Sequence, residues 1–244
     1  MVKGLYRSAS GMLVRQIRMD AISNNIANVN TTGFKRDNIF AKQLIEAMSI
    51  VDSTNGDKGS LADSLELYTN TSDGSYKATG HPLDAAIVGK GFFVVSTPEG
   101  QRLTRNGHFN PNREGILSDS NGNPVEGTGG PISIPDGSIA SINEHGEVVA
   151  DGIVIGKLKV VEAVNERQLE KLGNNYFNGD TIETVDQENS RLVSGTLENS
   201  NVDIMIEMIE MMGVQREFET GQKMIQVSTG TLDRLIRDVG RGIS

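Results

Sequence analysis

The sequence predicts a mainly β protein built on a discontinuous plan. A central antiparallel β domain is flanked by long N- and C-terminal amphipathic helices that pair as a coiled-coil-like domain. Three observations carry that expectation. Apolar residues recur every seven positions at both ends of the 244-residue chain. Short apolar runs, separated by glycine-bearing turns, fill the middle. The charge changes with the pattern: residues 1–42 carry seven bases and two acids, residues 43–195 eleven bases and 22 acids, and residues 196–244 five bases and eight acids.

Residues 4–29 read as the first helix, within an N-terminal element of 1–34. Leu5, Met12, Met19 and Ile26 repeat at intervals of seven, and Ala9, Ile22 and Val29 widen the stripe. Gly11 costs such a helix about 1 kcal/mol relative to Ala, so it marks either slack or the approach of another backbone. The polar turn Asn30-Thr31-Thr32-Gly33 ends it. The stretch 35–75 reads as a linker, partly helical or disordered: 35–49 extends the first helix or forms a second one, and 51–60 has the composition of a loop.

From 76 to 196 the period shortens. Residues 85–88 and 92–97 read as two short strands around the tight reversal Gly89-Lys90-Gly91. Further strands are expected at 132–134, 139–142, 147–149, 153–164 and 192–193. Asn106-Gly107, Asn121-Gly122, Pro135-Asp136-Gly137, His145-Gly146 and Asp151-Gly152 supply the turns. No helical pattern alternates with these runs, which argues against a βαβ repeat.

The last element spans 197–244. Ser200, with Asp203 three residues on, reads as its N-cap. Ile204, Met211, Phe218, Ile225, Leu232 and Val239 then repeat every seven residues, and Met208, Val214, Leu235 and Ile236 broaden the seam. Glu207, Glu210, Glu217 and Glu219 crowd the first half, while Arg234, Arg237 and Arg241 come late, as the helix dipole favours. Gln215, Gly221, Gln222 and Thr229 interrupt the seam and argue against a dry two-stranded zipper. The helix is expected to order by packing against several others, the N-terminal helix first. The methionines at 205, 208, 211 and 212 suit an adaptable contact surface.

Composition removes several functions. A net charge of −9 argues against nucleic acid as a partner. No apolar run approaches the length of a membrane span, and the acidic start of the last helix disfavours an anionic lipid surface. The chain has no cysteine, which excludes disulfides, thiol catalysis and cysteine zinc sites. With 5% aromatic residues and no Trp, a ring-lined cofactor cavity is not expected. The start Met1-Val2-Lys3-Gly4-Leu5-Tyr6-Arg7 lacks an apolar signal core, so any export is expected by a route that reads no cleaved signal.

Candidate chemistry falls short of a site. His81, His108 and His145 follow no ligand spacing and read as exposed turn residues, a metal site being the alternative if sheet folding gathers them. Asp119-Ser120-Asn121-Gly122-Asn123 opens like a calcium loop, but Pro124 replaces the required Gly and Gly130 the terminal Glu. Gly127-Thr128-Gly129-Gly130 precedes no helix, and Gly89-Lys90-Gly91 lacks the spacing of a nucleotide loop. Asp84, Asp119 and Asp136 come with no base or oxyanion element. No catalytic, metal or cofactor-binding residue is therefore assigned, and no enzyme is expected. A hydrolase would place His108 and Asp119 beside one pocket; a ligand-binding or adhesion module would show a concave apolar patch on the β domain.

The ends of the chain are similar to a known family. Ser23-Asn24-Asn25-Ile26-Ala27-Asn28-Val29-Asn30-Thr31-Thr32-Gly33-Phe34-Lys35-Arg36, with Ser8-Ala9-Ser10-Gly11-Met12 upstream, resembles the signature of bacterial flagellar rod and hook proteins. Gly195-Thr196-Leu197-Glu198-Asn199-Ser200-Asn201-Val202-Asp203 resembles the opening of that family's C-terminal helix, continued by Glu207-Met208 and Gln215-Arg216. In the middle, 83–95, Thr104-Arg105-Asn106-Gly107-His108-Phe109 and Gly115-Ile116-Leu117 resemble its first strands. The resemblance spans nearly the whole chain apart from about 40–75. Gly130-Pro131-Ile132-Ser133-Ile134-Pro135 and the short stretch after Phe34 look more like the proximal (FlgF) kind of rod protein, with the distal (FlgG) kind as the alternative.

The resemblance implies a structural subunit that self-assembles helically in the basal-body rod, transmits torque across the periplasm and lines the export channel. Its implied partners are copies of itself, other rod and hook proteins and the flagellar type III export apparatus. The assembly interface is expected at Leu5, Met12, Met19 and Ile26 and at Ile204, Met208, Met211, Phe218, Ile225, Leu232 and Ile236. Asn24, Asn25 and Asn28 are expected to fix subunit register by hydrogen bonding where apolar contact alone permits slip; capping of a helix end is the alternative reading.

Overall fold

The computed structural model describes residues 2–40, 66–166, 169–178, 184–186 and 191–241. Most of the 35–75 linker therefore lies outside the described residues. Chain contacts divide the protein into two units. One gathers 1–26, 37–67 and 203–244; the other gathers 27–36 and 68–202.

The described residues of the first unit are mostly two helices, with the strand Asp37–Phe40 beside them in sequence. Helix α1 covers Val2–Ala27 and helix α2 covers Ile204–Arg241, the latter 38 residues long. At 1.5 Å per residue α2 spans about 57 Å. The two run antiparallel: Met12 lies against Gly221, Arg15 Nε meets Glu217 at 3.2 Å, Arg18 meets Glu210 at 3.8 Å, and Asn25 meets Glu207 at 3.3 Å. As the α1 number rises the α2 number falls.

The cap of α2 is Asp203, not the expected Ser200. Asp203 Oδ1 accepts the backbone N–H of Met205 at 2.9 Å and of Ile206 at 3.3 Å, whereas Ser200 Oγ accepts only that of Val202. The carboxylate directly before the first turn is better placed to satisfy its orphan donors.

The second unit is an antiparallel β domain. Its largest sheet has six strands in the spatial order Lys171–Gly173, Tyr176–Asn178, Gly100–Thr104, Phe92–Thr97, Val160–Ala163 and Thr184–Asp186. Alternation along Phe92–Thr97 sends Phe93 and Val95 into one apolar cluster and Phe92 and Val94 into another, so this strand is buried on both faces. Phe93 and Phe109 pack edge to face at 5.0 Å between centroids. A three-stranded meander, Ala140–Ile142, Glu147–Ala150 and Ile153–Lys157, adds Ile142, Val148 and Ala150 to the larger cluster. Its last hairpin turns at Asp151 and Gly152, both at positive φ, as Asp-Gly favours.

Two sequence expectations need correction. The Gly89-Lys90-Gly91 reversal does not make a hairpin. Ala85–Ile87 pairs with Leu192–Ser194, while Phe92–Thr97 pairs with Gly100–Thr104. The expected strand at 153–164 is two strands in different sheets. Both errors have one cause: local periodicity reveals a strand but not the partner that satisfies its backbone.

Candidate assembly interface

Among the described side chains of the helical unit, the most deeply buried apolar ones are Ile22 and Val214, each 3% exposed. Both were expected at the margin of the stripes. Met12, Met19 and Ile26 on α1 are half-buried, as are Met211, Phe218 and Ile225 on α2. Leu5, Leu232 and Ile236 lie on the helices, outside the described side chains. Ile204 and Met208 are exposed. Gly221 makes room for Met12, since an added Cβ would sit 3.3 Å from Met12 Cγ. Gly11 makes room for Arg15, whose guanidinium donates to the Gly11 carbonyl at 2.9 Å. Gly221, rather than Gly11, is where a residue of the facing helix comes close.

A buried polar clamp lies at one end of the helix pair. Asn25 is 1% exposed; its Oδ1 accepts the Asp37 N–H and its amide donates to the Asp37 carbonyl, both at 2.9 Å, and also to Glu207. Asn25 thus spends its hydrogen bonds within its own chain. Asn24 is exposed, and Asn28 accepts the Thr31 hydroxyl at the turn that ends α1. Glu207 is fully buried. The sequence reading counted it among the acids of the helix's first half, and it stands seven residues before Val214, on the seam face. That spacing was the signal for its burial.

Opposite the seam, α2 carries a second apolar stripe. Met205, Met208, Ile209 and Met212 follow helical spacing and are 67%, 52%, 64% and 53% exposed. A helix with one apolar face needs one partner; a second face in water signals a second.

In the β unit the signature residues converge. Lys35 Nζ donates to Glu198 Oε1 at 2.5 Å and to the Ser72 carbonyl at 2.8 Å; Arg105 meets Glu198 Oε2 at 3.4 Å, Asp73 at 3.8 Å and the Gly89 carbonyl at 2.6 Å. Lys35, Arg105 and Glu198 are each at most 2% exposed. Burial, reinforced by the neighbouring Arg105 guanidinium, holds the Lys35 ammonium below its ordinary 10.5 in spite of Glu198. Burial and Asp73 push the Tyr76 phenol up to about 12.

Around this cluster the Gly33 N–H donates to the Glu198 carbonyl at 2.8 Å. The Arg36 N–H donates to Asn201 at 2.7 Å, and the Asn201 amide donates to the carbonyls of Asn70 and Ser72. Gly33 sits at φ 70° with an added Cβ 2.5 Å from Asn106 N, so no other residue fits. The segments 30–36, 104–106 and 196–201 are thus one structural knot. The sequence supplied the motifs but not their mutual contact.

The other candidates are used structurally. Asp84 is 1% exposed, meets His108 Nδ1 at 2.7 Å and accepts the Thr79 hydroxyl at 2.6 Å, with His81 Nδ1 at 3.4 Å. The sheet therefore brings His81 and His108 together and leaves the exposed His145 apart. Asp119 accepts the N–H groups of Asn121 and Asn123 at 2.9 Å and the Tyr176 hydroxyl, forming a turn rather than a calcium loop. His108 and Asp119 belong to these separate clusters, and Asp136 is exposed. Among the described residues, no group of three or more His, Asp or Glu side chains is arranged to hold a metal ion.

Three family models match the chain. Residues 5–35 match the flagella basal body rod protein, residues 86–150 the D1 domain of the flagellar hook proteins FlgE, FlgF and FlgG, and residues 193–238 the FlgEFG rod protein C-terminal region. The flagellar basal-body rod protein FlgG of Bacillus subtilis is 33% identical over 266 aligned positions, covering 97% of this chain and 98% of that protein. FlgF of Caulobacter vibrioides is 31% identical over 244, covering 96% and 98%. The flagellar hook-basal body complex protein FlhO of Bacillus subtilis is 30% identical, covering 99% and 100%. The matched segments include most of both seam helices and the knot residues Lys35, Arg105 and Glu198, and the chain belongs to the family of flagellar basal-body rod and hook proteins, structural axial proteins and not enzymes.

Proposed function

We propose that this protein is a structural subunit of the periplasm-spanning flagellar rod, delivered by the flagellar type III export apparatus and polymerised with its own copies and related axial proteins. The second apolar face of α2 carries the reading: Met205, Met208, Ile209 and Met212 are more than half exposed in the single chain. Burying each Met or Ile side chain contributes roughly 1.5–3 kcal/mol, a gain available when a further apolar surface covers the stripe. No helix among the described residues is long and apolar enough to cross a membrane.

Within the family we favour the distal, FlgG type, because FlgG relatives reach 33% identity against 29–31% for FlgF relatives. This reverses the preference drawn from Gly130–Pro135. One observation supports the proximal type: the FlgF alignment runs over 244 positions and the FlgG alignment over 266, for a chain of 244 residues. Epitope labelling of the chain in isolated basal bodies tests both points. Label in the rod next to the hook supports the distal reading, label at the base supports the proximal one, and no label in the rod refutes the structural role.

A further inference from the structure

Methionine supplies all but Ile209 of the outward stripe on α2. At 3.6 residues per turn Met205, Met208 and Met212 fall within about 60° of one another, and each is more than half exposed. Met12, Met19 and Met211, on the seam side, are half-buried. The chain has no cysteine, so no thiol of its own competes for an oxidant. A leucine at these positions would cover similar area without the sulfur.

We propose that Met205, Met208 and Met212 form a site of reversible oxidation by peroxide, and that their sulfoxides keep a free copy out of the rod. The second half rests on the assembly reading above. A thioether sulfur gives a lone pair to one peroxide oxygen; the O–O bond breaks as the S–O bond forms, and the other oxygen leaves as water. Sulfur loses two electrons and the peroxide gains them. An apolar, flexible side chain becomes a polar one, and a sulfoxide reductase reverses the change.

The sulfoxide oxygen accepts hydrogen bonds, and the stripe supplies no donor of its own. Covering it with a neighbour's apolar surface removes its water without replacement. Once a neighbour covers the stripe the sulfurs are shielded, so the sensitivity belongs to the copy not yet incorporated.

The full-length chain, treated with hydrogen peroxide to about one sulfoxide per chain, tests both halves. Peptide mass spectrometry should find Met205, Met208 and Met212 oxidised before Met12, Met19 and Met211, and equal rates overturn the site. The same sample is then left to polymerise and sedimented. Stripe sulfoxides are expected in the supernatant at least about fivefold over the pellet. Met224 is the control, exposed but about 100° round the helix from Met205, and its sulfoxide should divide evenly. Sulfoxide reductases acting on both epimers should return the soluble chains to the pellet. Stripe sulfoxides divided evenly, a Met224 bias as large, or chains still soluble after reduction overturn the switch and keep the assembly reading. Loss of the helical circular dichroism on oxidation also overturns the switch, since the sulfoxides then act by unfolding α2. An untreated chain that stays monomeric at every concentration, helices intact, refutes the assembly reading and the switch with it.

Discussion

The signature knot yields the sharpest quantitative test, through Glu198→Gln. The substitution keeps the shape and an acceptor for the Gly74 N–H, which donates to Glu198 Oε1 at 2.8 Å. It removes the charge that faces Lys35 at 2.5 Å and Arg105 at 3.4 Å, both buried. Removing one partner of a buried ion pair costs about 3–5 kcal/mol. Two stranded cations argue for the top of that range, while Asp73, 3.8 Å from Arg105, recovers part. About 4 kcal/mol is expected.

Urea unfolding of the full chain, followed by tyrosine emission, measures this cost. The protein has no Trp, and Tyr68, Tyr76 and Tyr176 all lie in the β unit. With a denaturant slope of about 2 kcal/mol/M, the midpoint falls by about 2 M. Raising the pH adds a second reading. A lysine whose folded pKa lies below its unfolded value binds fewer protons when folded, so stability rises with pH between those two values and is flat below them. In the wild type that window closes at the ordinary 10.5. Without Glu198, burial and Arg105 depress Lys35 further and the window opens at lower pH. The variant should regain more stability than the wild type as the pH rises towards 10.5. A variant within about 0.5 kcal/mol of wild type at pH 7, a size ordinary for surface changes, refutes the view that this network is held together by charge.

Three further outcomes follow from the geometry. Phe218→Asp places a charge in the helix seam; it should abolish rod assembly and raise amide exchange across 11–26, with the β-unit urea midpoint unmoved, and a motile strain carrying it would contradict the seam. Asn25→Ala strips three hydrogen bonds and leaves Glu207 buried beside an apolar methyl. The expected loss is about 2–4 kcal/mol, read as exchange at α1 with the β unit unaffected, and protection equal to wild type would refute the clamp. Tyr76 should ionise at about pH 12, above the ordinary phenol value of 10.0. Its folded pKa is raised, so its contribution to stability holds below about pH 10 and fades as the pH climbs through 12. Absorbance titration against Tyr76→Phe checks this, and an ordinary phenol titration there would discard the Asp73 contact.

Much of this architecture was legible because helical periodicity is a local property. The seven-residue spacing of Met12, Met19 and Ile26, and of Met211, Phe218 and Ile225, already fixes which face of each helix turns inward. The same spacing places Glu207 on the seam face, where the amide of Asn25 donates to the buried carboxylate. Strand partners were harder. Phe92–Thr97 was visible as a strand, yet its neighbours come from 100–104 and 160–163, and no local pattern records a pairing as distant as that of Phe93 with Val160.

The chain's order of residues determined two amphipathic helices, a glycine-punctuated β region between them and the absence of thiol chemistry, because each depends on neighbours a few positions apart. Tertiary structure alone decided that Lys35, Arg105 and Glu198 share one buried knot, that Asp84 gathers two histidines, and that α2 keeps a second apolar face after pairing with α1. Those outcomes depend on which distant segments meet, and contact over such distances is set by the packing of the whole fold.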